Sequence, residues 1–90
     1  MTQERWQKLS PHDQLRNIAA ELERARVSEA EGDSELFRNA LERALELIDC
    51  SLADPRSRHD ALRLFVLRDE VAKRYIGESR DDMGVLSRAL

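Results

Sequence analysis

The chain has 90 residues, a length that fits one domain. Charged residues make up 37% of it and aromatics 4%, which argues against a β-sandwich and suits helices laced with ion pairs. The net charge of -3 disfavours general nucleic-acid binding, because nonspecific affinity for phosphate backbones comes from a net basic face.

In chain order, residues 1–9 form a short N-terminal arm. They hold no apolar run of the kind a secretory leader carries, and no stretch approaches the ~20 apolar residues of a membrane span. The single cysteine, Cys50, permits no intrachain disulfide. The cytoplasm is the expected address, and no membrane association is expected.

Ser10-Pro11-His12-Asp13 is a helix start: Ser10 caps, Pro11 has no N–H to leave unsatisfied, and Asp13 completes a capping box. This first helix is expected over about 11–31. Gly32 supplies the left-handed residue that ends it. Asp33 or Ser34 caps a second helix over about 34–53, which Asp54-Pro55 breaks. Ser57-Arg58-His59-Asp60 offers a second capping box for a third helix over about 57–76, stopped by Gly77. In the tail, 78–90, Ser79 and Asp82 are able to cap a short fourth helix, but Gly84 and the short length weaken it. The tail is expected to be mobile or weakly helical. Short connections between long helices imply an all-α, up-down-up three-helix bundle.

Stepping 100° per residue places Leu15, Ile18, Ala19, Leu22 and Ala25 on one stripe of the first helix. Leu36, Phe37, Ala40, Leu41, Ala44, Leu45, Leu47, Ile48 and Leu52 cover about half of the second, enough for two neighbours. The third carries Ala61, Leu64, Phe65, Val71, Ala72, Tyr75 and Ile76 on its main face, with Leu62, Val66 and Leu67 outside it. Four consecutive apolar residues, Leu64 to Leu67, point around most of the circumference, so this helix needs cover on more than one side. Self-association through Leu62, Val66 and Leu67 is expected, with Trp6 as an additional anchor. The alternative is that Trp6, Leu9, Met83, Val85, Leu86 and Leu90 fold back over the same patch.

Charge is unevenly shared: residues 33–54 carry a net of -4 and residues 56–74 a net of +3, so the second and third helices attract. Arg68 falls within the third helix's apolar face, where a guanidinium needs a partner. An inward polar cluster of Arg68 and Glu29, with or without Arg26, is one reading, and side chains that snorkel outward at a seam are the other.

No motif rises to a reaction. His12 and His59 each precede an aspartate, but neither has the three or four convergent ligands of a metal site. Cys50 and His59 come close in an up-down-up bundle, yet no orienting group or oxyanion hole accompanies them. Arg5 and His12 have the R-x6-H spacing and in this resemble the HEPN family of small helical ribonucleases. There the pair lies on one continuous helix, whereas Ser10-Pro11 interrupts this one, so no activity is carried over. No phosphate loop, zinc-type spacing or nucleophile elbow occurs, and no cofactor is implied.

The expected function is therefore that of a small non-catalytic interaction module, a homodimer or a partner of another protein. One rival is a nucleic-acid or nucleotide-binding accessory domain using Arg56, Arg58, His59 and Arg63 at the start of the third helix. The other is a non-catalytic subunit of an enzyme or of a toxin-antitoxin-type pair.

Overall fold

The structure, a computed structural model, describes residues 1–77. The expectations for the tail, its short helix, its mobility and its fold-back residues included, lie outside the described residues. Within them the chain is all-α: α1 (Gln3–Trp6), α2 (Pro11–Ala30), α3 (Ser34–Leu52), a 3-10 helix (Pro55–Asp60) and α4 (Ala61–Tyr75).

The punctuation acts where the residue chemistry places it. The Ser10 hydroxyl accepts from the Asp13 amide at 3.1 Å, with Pro11 in the first turn. At the far end of α2, Gly32 takes φ +74°, and the amides of Gly32 and Asp33 bond the carbonyls of Glu29 and Ser28. This pattern ties off the last carbonyls of the helix. Asp33 immediately caps α3 by accepting from the Leu36 amide at 3.0 Å, so the hairpin between α2 and α3 is very short.

The third long helix starts later than its sequence suggests. Asp54 takes the capping role, accepting from the Arg56 amide at 2.9 Å, and the following turn is 3-10. Ser57 is buried, and Asp60 makes no side-chain cap bond. Regular α geometry therefore begins only at Ala61.

Two cross-helix bonds show how α3 and α4 run. Arg68 donates to Asp49 at 2.6 Å, and the Tyr75 hydroxyl donates to Glu42 at 2.6 Å. Moving seven residues forward on α4 moves seven back on α3, so the two are antiparallel. At the opposite edge of α4, Arg74 pairs with Glu29 near the end of α2 and lies 5.3 Å over the Phe37 ring. The topology is thus up-down-up, with α3 packed against both α2 and α4.

The core is Ile18, Leu22 and Ala25 from α2, Ala40, Leu41, Ala44, Leu47 and Ile48 from α3, and Leu64, Leu67 and Val71 from α4. Trp6 closes one end of it. Two expectations for α4 are reversed: Leu67, placed outside, is only 4% exposed, and Phe65, placed inside, is 59% exposed. With Leu64, Leu67 and Val71 facing inward, the residue between Leu64 and Val66 is turned about 160° from Leu67 and has to face outward. Ile76, also expected inside, is exposed as well.

Candidate interaction surface

One end of the bundle holds a buried polar cluster that the sequence reading did not single out. Gln14 and Ser51 are buried, one near the start of α2 and the other near the end of α3. The Trp6 indole donates to the Ser51 hydroxyl at 2.9 Å, and that hydroxyl donates to Gln14 Oε1 at 2.9 Å. Gln14 Nε2 in turn donates to Asp54 Oδ2 at 2.9 Å and to the Trp6 carbonyl at 3.1 Å. The Arg56 guanidinium closes the group, bonding Asp54 at 2.7 Å and the carbonyls of Gln7 and Leu9 at 2.6 and 2.9 Å. Hydrogen bonds from Arg56 hold the Asp54 carboxyl well below the usual carboxylate range against the opposing effect of burial, with Gln14 adding to them. Every member is engaged with another. The cluster clamps the N-terminal segment onto the bundle.

Two of the residues expected to form sites belong to this cluster. Trp6, expected as an interface anchor, is fully buried within the subunit, because its indole N–H finds a hydroxyl partner on α3. Arg56, expected as a phosphate contact, bonds Asp54 and two carbonyls while its side chain stays 47% exposed. Of the other basic residues at that end, Arg58 and His59 are exposed, and Arg63 pairs with Asp60 at 3.4 Å.

The inward cluster of Arg68, Glu29 and Arg26 does not form. Arg68 reaches Asp49 across the α3–α4 seam, Glu29 meets Arg74, and Arg26 binds Glu23 on its own helix at 2.6 Å. Arg68 instead extends along the seam to an exposed acid, which avoids burying a charge.

The apolar surface left over lies on the outer side of α4. Leu62 is 76% exposed, Phe65 59% and Val66 57%. At 100° per residue these three share one face, opposite the inward Leu64, Leu67 and Val71. The same face continues with Asp69 and Lys73, an ion pair at 3.1 Å, and ends at Ile76. Leu62 and Val66 thus stand where the sequence reading put them, while Phe65 takes the place it gave to Leu67. The signal for Phe65 was present: spacing i, i+3, i+4 with Leu62 and Val66 marks one helical stripe.

Burial, aided by Glu46, pushes the Cys50 thiol up, which opposes thiolate formation. Arg5 lies on α1 and His12 on α2, both exposed and separated by the turn at residues 7–10. Among the described residues no three or more His, Cys, Asp or Glu side chains gather to hold a metal ion. A groove of about 350 Å³ between α2 and α3 is bordered by Arg24, paired with Glu21, and by Arg43, paired with Glu46. Its charges are already partnered. Among the described residues no helix is long and apolar enough to cross a membrane. Comparison of the chain with protein-family models, with curated proteins and with solved structures finds no match.

Proposed function

We propose that this protein is a helical interaction module that pairs with a second copy of itself through the outer face of α4. The observation that carries the reading is the contiguous exposure of Leu62, Phe65 and Val66 on a helix whose opposite face already fills the core. Side chains of this size form a patch of roughly 300–400 Å², the scale at which surface patches on small proteins tend to be functional. A standard stable interface buries about 800 Å² per partner. The patch therefore supports a weak or transient association.

Full burial of each such side chain is worth ~1.5–3 kcal/mol, and association costs about 4–15 kcal/mol, so six partly covered side chains support at most a weak dimer, with a dissociation constant no tighter than about 10 μM.

Sedimentation equilibrium of the full chain, from about 10 μM upward, tests the reading. The average mass should rise from 10.4 kDa towards twice that value, and V66E should hold it at the monomer while keeping its helical circular dichroism. A wild-type chain that stays monomeric at millimolar concentration would overturn the proposal.

A further inference from the structure

We infer that the two copies cross α4 against α4 antiparallel, centred near Leu64, so that the basic 3-10 turn ahead of one α4 meets Asp69 and Glu70 of the other. This deepens the self-association reading and rests on it. The apolar patch is confined to the first half of α4, and the residues flanking it differ in sign. Before it come Arg58 and His59, exposed and without a side-chain hydrogen bond or ion pair among the described residues. After it come Asp69 and Glu70, which share the single ammonium of Lys73 at 3.1 and 3.6 Å. Two carboxylates on one cation retain acceptor capacity.

Charge decides between orientations. A parallel, in-register pair would place Arg58 beside Arg58 and Asp69 beside Asp69, like facing like on both sides of the apolar centre. Turning one helix over about Leu64 sets Leu62 opposite Val66 of the second copy and brings Arg58 and His59, in the 3-10 turn ahead of α4, towards its Glu70 and Asp69. Phe65 of each copy then flanks the same apolar centre. A different antiparallel offset, with Asp69 opposite Lys73 of the second copy, also matches charges. That offset strands Leu62 and Phe65 of both copies in water and is disfavoured by the dominance of apolar burial over exposed ion pairs.

The test uses the full chain as C50S/K73C, carrying one nitroxide per copy, measured by pulsed dipolar spectroscopy at a concentration where sedimentation shows dimer. In the inferred crossing, the two labelled positions are offset by 18 residues, about 27 Å along the helix at 1.5 Å per residue. A distance near 25–35 Å is expected. A distance under about 20 Å, as for parallel helices 8–10 Å apart or for the offset that sets Asp69 opposite Lys73, overturns the inferred crossing but leaves self-association standing. No dipolar coupling together with a monomeric wild type overturns both. In the same assay series R58E and E70R should each weaken association roughly three- to tenfold, and R58E/E70R should restore it. Positions 58 and 70 are too far apart within one chain to compensate each other, so a double variant as weak as the singles also refutes the crossing.

Discussion

Replacing Trp6 with alanine tests whether the N-terminal segment belongs to the folded unit. The indole is fully buried and its N–H bonds Ser51, so the change empties an apolar site and leaves a buried hydroxyl without its donor. Truncations of this kind cost about 3–5 kcal/mol, and the lost bond adds about 1–3 kcal/mol. Because α1 is a terminal helix of four residues, it is able to detach rather than leave a rigid cavity. The observed loss is then capped by the free energy of docking the segment. A loss of about 2–4 kcal/mol is the expected result, against a total stability of roughly 5–10 kcal/mol for a domain of this size. It corresponds to a fall in Tm of about 10–30 °C. Urea denaturation followed by far-ultraviolet circular dichroism measures it. In the wild type, Trp6 is the sole tryptophan, so its fluorescence reports docking directly and should change in the same transition as helicity. A loss below 1 kcal/mol, or fluorescence that shifts well before helicity, would show that the segment is not clamped and that the polar cluster does not act as described.

Three further outcomes follow from the same contacts. D54N should destabilise the fold by about 2–3 kcal/mol at neutral pH, as expected for hydrogen bonds to a buried charge. The folded carboxylate is held below its unfolded value near 3.9, so its contribution is complete above that value and fades as pH falls through the lower folded one. Wild type and D54N should therefore converge in stability as acid is added below about pH 4, as urea midpoints taken at a series of pH values will show. G32A should cost about 1–2 kcal/mol from backbone strain alone, since Gly32 sits at φ +74° with nothing within 4 Å of an added Cβ; thermal melts check it. Finally, L67E and V66E, neighbours in sequence, should diverge: the buried position loses its cooperative melt, and the exposed one keeps it.

Much of the fold is readable residue by residue because its signals are local. Ser10-Pro11, Gly32-Asp33 and Asp54-Pro55 act on amides and carbonyls within a few positions of themselves, so these helix ends follow from steric and hydrogen-bonding chemistry that needs no neighbour; the start of α4 does not, because a 3-10 turn with Ser57 buried replaces the expected capping box. The apolar stripes of α2 and α3 are legible for the same reason, apart from Leu36, which is 52% exposed. The excess of apolar surface on α4 is equally a matter of counting directions around a helix.

Which of those directions faces water is another matter. Phe65 and Leu67 are both large and apolar, and only the line from α4 to α3 puts the second inside and the first outside. Arg68 chose Asp49 over Glu29 because the seam, not the apolar stripe, lay within reach of its guanidinium. Trp6 and Ser51 stand 45 positions apart, and Gln14 and Asp54 40. A hydrogen bond between such residues exists only once three helices have been brought together, and no periodicity along the chain encodes it. Local backbone chemistry thus determines where helices start and stop, while the burial of particular side chains is decided by the relative placement of whole helices, an energy shared among contacts distant in sequence.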